Sequence, residues 1–227
     1  MSDEISVVIP VYNGALHLAE TIESALGQSL PPASVIVVDD GSEDETPSVA
    51  AGYFGRIRYF RQSHAGAASA RNFGVQHVET EFLAFLDADD LWETDKLELQ
   101  TNELRKIVGR AMIFGQAVQF ASPELTDAEV AELLFTPEPL PAIAPSALLM
   151  RSADFRAVGK FNSELRMGEF IEWYGRAQAQ GIATRVLPDI VFHRRLHSGN
   201  HGRRKADMRG DYARALKAVL DGRRGKA

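Results

Sequence analysis

Phe82-Leu83-Ala84-Phe85-Leu86-Asp87-Ala88-Asp89-Asp90 is an apolar run that ends in three carboxylates within four residues. Unbroken apolar character without alternation reads as a strand buried on both faces. The acidic cluster needs a separate cause, because like charges this close repel and raise one another's pKa. Such clusters persist when a cation sits among them. All-oxygen ligands select a hard divalent ion, Mg²⁺ or Mn²⁺. In an α/β enzyme, Asp-x-Asp at the carboxyl end of a central strand is where a metal-bound diphosphate would be held.

Upstream of this run the chain alternates strand and helix. Ile5-Ser6-Val7-Val8-Ile9 is a β-branched run stopped by Pro10, and Ser34-Val35-Ile36-Val37-Val38 is a second, followed at once by Asp39-Asp40-Gly41-Ser42. A third, shorter strand is expected over 57–60. Leu18, Ile22, Ala25 and Leu26 share one face of a helix over 15–28. The Gly/Ala-rich stretch 64–78 reads as a loop opening a helix. Continuous apolar strands separated by helices predict a parallel sheet covered on both faces. Three strand ends, carrying Pro10-Val11-Tyr12-Asn13, Asp39-Asp40 and Asp87-Ala88-Asp89, then reach one edge, where ligands of such sheets bind.

The second half is less regular. A helix is expected over 94–108 after a Trp92-Glu93 turn, and a strand over 112–120. Residues 121–145 are rich in proline and acid, with a short helix near 126–135, and read as a lid over the acceptor side of the active edge. The chain returns to the sheet at 147–150. An amphipathic helix over 168–180 is stopped by Gly181. Two strand-like stretches follow, 182–187 and 190–192, and then a terminal helix over 207–221. The expected organisation is one domain over 1–205, with a nucleotide-binding half (1–110) and an acceptor-side half (111–205), followed by a basic tail (206–227).

A chain of 227 residues suits one such domain. It has no cysteine, which excludes disulfides and thiolate metal sites. No apolar stretch approaches the ~18 residues of a membrane-spanning helix. The acidic start, Met1-Ser2-Asp3-Glu4, runs straight into a strand, so no signal peptide is expected. A cytoplasmic location fits these features. The net charge of −6 hides an asymmetry: residues 194–227 hold eleven Lys/Arg and three Asp, a net of +8, so the other 193 residues carry −14. The positive end could meet an anionic partner or simply be a solvated helix.

Taken in order, Val8-Ile9-Pro10-Val11-Tyr12-Asn13, then Val37-Val38-Asp39-Asp40-Gly41-Ser42 with Asp44 and Thr46, Gly66 to Arg71-Asn72, and Leu86-Asp87-Ala88-Asp89-Asp90 resemble the family 2 glycosyltransferases, the inverting group with the GT-A fold. The match covers roughly residues 5–200. The resemblance implies a Rossmann-like, mostly parallel sheet with helices on both faces. It also implies a donor site to which Pro10, Tyr12, Asn13, Asp39, Asp40, Arg71, Asp87 and Ala88 belong. Tyr12 would stack under the nucleotide base. Asp40 would accept a hydrogen bond from the base, which favours uracil because its N3–H donates, and Asp39 beside it would orient the loop. Arg71 would approach the diphosphate or the base loop. Asp87 would face the ribose and metal, Asp89 would bind the metal, and Asp90 would cap the following helix.

An inverting transfer needs a base on the acceptor side. The family's acidic pair corresponds here to Glu169-Phe170, so the second acid, the commoner base, is replaced by Phe170. Glu169 and Glu172 remain, three apart on one helix face. Either could be the base, with Glu169 slightly favoured, or both could be cap acids at a helix N-terminus. Arg195-Leu196-His197-Ser198-Gly199-Asn200 resembles the family's Arg-x-His-x-x-Asn element, in which His197 would complete the metal shell or touch the diphosphate. His193 and His201 receive no role. The resemblance thus implies a UDP-sugar donor, a glycan or lipid-linked acceptor, Mn²⁺ or Mg²⁺, peripheral membrane contact through the basic tail, and no nucleic-acid partner. The rivals are a nucleotidyltransferase, disfavoured because Pro10-Val11-Tyr12-Asn13-Gly14 holds no basic residue, and a non-catalytic nucleotide-sugar or glycan-binding relic, which Phe170 keeps open.

Overall fold

The computed structural model describes residues 4–131 and 138–197. The expected terminal helix over 207–221, together with Asn200 and His201, lies outside them.

Strand β1 (Ile5–Val11) is buried along its whole length. It pairs in parallel with β2 (Ser34–Asp39) on one side and with β4 (Phe82–Phe85) on the other. Strand β3 (Arg58–Arg61) pairs in parallel with β2 at the sheet edge. Along this half the order is β3-β2-β1-β4, so the chain winds outward to β3 and then reverses to β4. Right-handed crossovers put helices α1 (Leu18–Leu26) and α2 (Thr46–Ala51) on one face and α3 (Ala67–Gln76) on the other. The reversal makes the edge beyond β1 and β4 a topological switch point.

The sheet continues from β4 through β8 (Leu149–Arg151), β6 (Ala111–Ala121), β9 (Ala183–Leu196) and β5 (Leu91–Trp92), with β7 (Leu140–Ala142) paired to β6. Pairing here is mixed: β6 and β9 are parallel, while β8, β7 and β5 run antiparallel to their neighbours. The remaining helices are α4 (Lys96–Lys106), α5 (Asp127–Ala131), α6 (Ser152–Val158) and α7 (Glu169–Ala179).

Several sequence expectations shift here. The Trp92-Glu93 turn is preceded by a two-residue strand, because Leu91 and Trp92 pair with His193 and Phe192. The two stretches after Gly181 form one strand. Its register jumps from Phe114↔Val186 to Gln116↔Ile190, so a bulge absorbs Pro188, which has no N–H for the ladder. In the expected lid, β6 extends to Ala121 and β7 returns to the sheet, α5 covers Asp127–Ala131, and the remainder of the expected helix, 132–135, lies outside the described residues. Helices α2 and α6, of six and seven residues, are too short for periodicity to signal.

One core residue is unexpected. Lys96 is 0% exposed, donates from Nζ to Gln100 Oε1 at 2.7 Å and lies 4.1 Å from the centre of the Trp92 ring. Burial pushes its pKa well below the lysine range. A base whose folded pKa is lowered is penalised while it is charged in the fold. That penalty fades as pH rises from the folded value towards 10.5. Chemical denaturation should therefore show wild type gaining stability relative to Lys96→Met as pH rises through that window, by up to about 1.4 kcal/mol per pH unit. A pH-independent difference between the two proteins would contradict a desolvated ammonium.

Candidate functional site

Register brings the first two strand ends together, since Val11 lies opposite Asp39. The loops beyond them are laced to each other. Asn13, at φ 50°, donates from its backbone N to Ser42 Oγ at 2.9 Å, and its Oδ1 accepts from Glu43 N at 2.8 Å. Gly14 N donates to Thr46 Oγ1 and Ala15 N to Asp44 Oδ2, so Asp44 and Thr46 serve this lacing. Pro10 is buried within β1. Tyr12 is 40% exposed and stacks on His64, with ring centres 4.0 Å apart and planes 29° from parallel.

Asp39 is fully buried and accepts from Ser42 N at 2.7 Å and from Tyr59 Oη at 2.6 Å, which ties the loop that follows it. Burial, then the bond to Asp39, raise the Tyr59 pKa and keep the hydroxyl a donor. Asp40 is 2% exposed, and its carboxylate is saturated from within the chain. Oδ1 accepts from Gln62 Nε2 at 2.6 Å and Ala65 N at 2.9 Å. Oδ2 accepts from Gly66 N at 2.7 Å and faces His64 Nδ1 at 2.9 Å. A carboxylate has about four lone-pair sites, and all are used.

Arg71 sits on the first turns of α3 with its side chain 5% exposed. Its Nη2 donates to Asp87 Oδ1 at 2.6 Å and its Nη1 to Glu169 Oε1 at 2.8 Å. Burial alone would lower the Arg71 pKa, but the two carboxylates outweigh it and hold it above the ordinary range. This guanidinium connects the third strand end to the first residue of α7, 98 positions away in sequence. Asp87 is thus engaged by Arg71, and its backbone N donates to Ser146 Oγ at 3.2 Å.

Asp89 Oδ2 meets His197 Nε2 at 2.9 Å. Burial, the largest single influence, works against ionising Asp89, but the bond and charge of His197, together with a backbone hydrogen bond and the charge of His17, outweigh it and keep the carboxyl below its usual range. Arg195 is 3% exposed, donates from Nε to the Asp89 carbonyl at 3.0 Å and lies 4.7 Å from the centre of the Phe120 ring. No three His, Cys, Asp or Glu side chains placed to hold a metal ion occur among the described residues. The Asp89–His197 pair nonetheless fits an ion that takes one or two protein ligands and completes its shell with phosphate oxygens. Ala88 lies between the acids, and its carbonyl accepts from Thr21 Oγ1 at 2.9 Å.

Asp90 is not a helix cap. Its Oδ2 accepts from Ser146 Oγ at 2.7 Å and its Oδ1 from Arg195 N at 3.2 Å, whereas α4 begins six residues later with Asp95 at its N-cap. Burial, followed by the charges of Asp89 and Asp87, pushes its pKa well above the usual range.

The two candidate bases separate. Glu169 opens α7 and reaches the site through Arg71. Glu172 turns instead to Arg176, which contacts it at 2.6 and 3.0 Å and also donates to the Val158 and Lys160 carbonyls. Glu172 therefore holds a local turn. Phe170 is 6% exposed and packs among Phe114, Phe161, Trp173 and Tyr174, so an acid there would be buried in an aromatic cluster. His193 meets Glu93, away from Asp89.

Sequence reasoning missed His64, Ser146 and the contact of His17 with Glu124 at 3.5 Å. Each acts through a partner 20 or more positions away, and no local pattern marks it.

Comparison with known proteins gives the family and the fold. The family profile described as Glycosyl transferase family 2 matches residues 6–158. The chain belongs to that family. An uncharacterised glycosyltransferase of Rickettsia typhi is 32% identical over 173 residues, 71% of this chain and 54% of that protein. A putative teichuronic acid biosynthesis glycosyltransferase of Bacillus subtilis is 39% identical over 100 residues, 42% of this chain and 40% of that one. The chain spans about half the length, or less, of the curated relatives it matches. Among solved structures, residues 1–349 of S. aureus TarS in complex with UDP-GlcNAc give a TM-score of 0.74 at 19% identity, covering 96% of this chain and 66% of that one. The likeness shows the GT-A fold.

The loop that closes on Asp40 depends on Gly41, at φ +79°, where an added Cβ would lie 2.9 Å from His64 N. Left-handed backbone alone costs a non-glycine residue roughly 1–2 kcal/mol. Gly41→Ala should therefore lower stability by at least that amount in equilibrium denaturation; an unchanged midpoint would mean the 62–66 loop does not rest on Asp40.

Proposed function

We propose that this protein transfers a sugar from a UDP-sugar to an acceptor hydroxyl with inversion, assisted by Mn²⁺ or Mg²⁺. The observation that carries the proposal is the Arg71 bridge, which ties the acidic end of β4 to the first turn of α7. One side of that bridge is the edge for the donor diphosphate, and the other supplies a carboxylate for the acceptor. Family membership supports the reaction class, and the UDP and UDP-GlcNAc complexes of TarS support the nucleotide.

Tyr12 offers a ring face for the base, and the Asp39 and Asp40 loops hold that ring at the rim. Asp89 and His197 would hold the metal with the diphosphate oxygens, and the ion would supply charge stabilisation for the departing UDP. Glu169, its rotamer fixed by Arg71, takes the proton from the acceptor hydroxyl. That oxygen bonds to the anomeric carbon as the bond to the β-phosphate oxygen breaks on the opposite face, and UDP leaves with the electron pair. Glu172, bound to Arg176, takes no part.

A glycan or lipid-linked acceptor, a cytoplasmic location and peripheral membrane contact through the basic tail complete the proposal. No helix among the described residues is long and apolar enough to cross a membrane. Phe170 favours a second reading, a donor-binding relic, because it fills with core packing the place of the family's second acid.

Calorimetry should show UDP binding that requires Mn²⁺ and disappears in Asp89→Ala. Glu169→Gln should keep that binding and lose about 10²–10⁴ in turnover of a UDP-sugar, while Glu172→Gln keeps turnover. Metal-independent binding would remove the metal assignment. Binding without turnover in wild type, across UDP-sugars and acceptors, would favour the relic.

A further inference from the structure

His64 does to Tyr12 and Asp40 what a uracil ring is expected to do. It is a flat aromatic ring stacked on Tyr12 at 4.0 Å. Its Nδ1 faces two acceptors, Asp40 Oδ2 at 2.9 Å and the Asp40 carbonyl at 3.2 Å, so Nδ1 must carry a proton for either contact to be a hydrogen bond. Uracil presents the same pair of features, a π-face and a ring N–H. Because the Asp40 carboxylate is already saturated, an incoming base can reach it only by displacing a donor. Two of the four donors are the backbone N–H groups of Ala65 and Gly66, which cannot leave without moving the loop. Gln62 is tied at a second point, to Ser69 Oγ at 3.2 Å. His64, with its side chain 57% exposed, is the donor that can rotate away.

The geometry points to His64 as an internal stand-in for the nucleotide base, occupying the base position of the donor site in the absence of nucleotide and exchanging with uracil on binding. The inference rests on the uridine-nucleotide reading above and deepens it. The exchange keeps Asp40 satisfied in both states, so a buried carboxylate is never left short of a donor. It also sharpens selection, because a ring can replace His64 only if it brings an N–H to Asp40. Cytosine places an acceptor there and would leave two acceptors facing each other. Self-occupancy lowers the apparent affinity for the nucleotide by the fraction of molecules in which His64 is in place.

Two measurements on the full chain test this. Titration with UDP in the presence of Mn²⁺ should give binding to His64→Ala that is tighter than wild type by roughly three- to tenfold, and weaker binding to Tyr12→Leu. By NMR, the His64 ring protons of free wild type should be shifted upfield by Tyr12. That shift should vanish in Tyr12→Leu, and also in wild type saturated with UDP. Equal or weaker UDP binding by His64→Ala overturns the inference, because the histidine is then a contact of the bound complex. A ring-current shift that survives saturation overturns it as well. If no UDP binds to any of the proteins, the uridine reading fails and the inference falls with it. The upfield shift in the free protein separates that failure from failure of the exchange alone.

Discussion

A guanidinium buried between two carboxylates sets the geometry of this protein's active edge. Arg71 projects from a helix on one face of the sheet, Asp87 from the end of a central strand, and Glu169 from the first turn of a helix in the second half. Removing such a charge from water costs several kcal/mol, and only a fixed pair of partners offsets it. The two halves of the chain are therefore held in one relative position by a contact that tolerates little slack. The bidentate fork of arginine, with two donors at a set angle, suits this better than a lysine point charge.

The rest of the site follows the same economy of partners. Asp39, Asp40, Asp89 and Asp90 each lie at or near a strand end, and each is matched to donors of its own. Asp39 is spent on loop architecture and Asp90 on the turn that carries Ser146, Asp40 holds the 62–66 loop and also takes the His64 contact, and Asp89 faces His197. Acids that look alike in the sequence thus divide according to which donors the fold brings to them. Arg195 reinforces this division by gripping the Asp89 carbonyl from the far strand.

Much of this was legible in the sequence. Strands β1, β2 and β4 are continuous apolar runs, and their order and polar ends announce a parallel sheet with one active edge. Tyr12, Asp39 and Arg71 lie at or beside that edge. What stayed hidden depends on distant partners. Asp90 follows a strand and precedes a helix, so it resembles a cap, yet Ser146 and Arg195 claim it. Glu169 and Glu172 share a helix face and are equivalent in sequence, but Arg71 and Arg176 send them to different tasks. Pro188 reads in sequence as the end of a strand, yet a bulge carries the strand past it. His64 has no motif around it, and only the closed loop reveals what it touches.

The central claim is that Arg71 and Glu169 act as one unit joining the two halves of the chain. A double-mutant cycle of Arg71→Met and Glu169→Gln, read as unfolding free energy by chemical denaturation, tests it most directly. The account predicts a coupling of about 1–3 kcal/mol between the two substitutions. Effects that add to within about 0.5 kcal/mol would mean that the two residues are energetically independent and would contradict it.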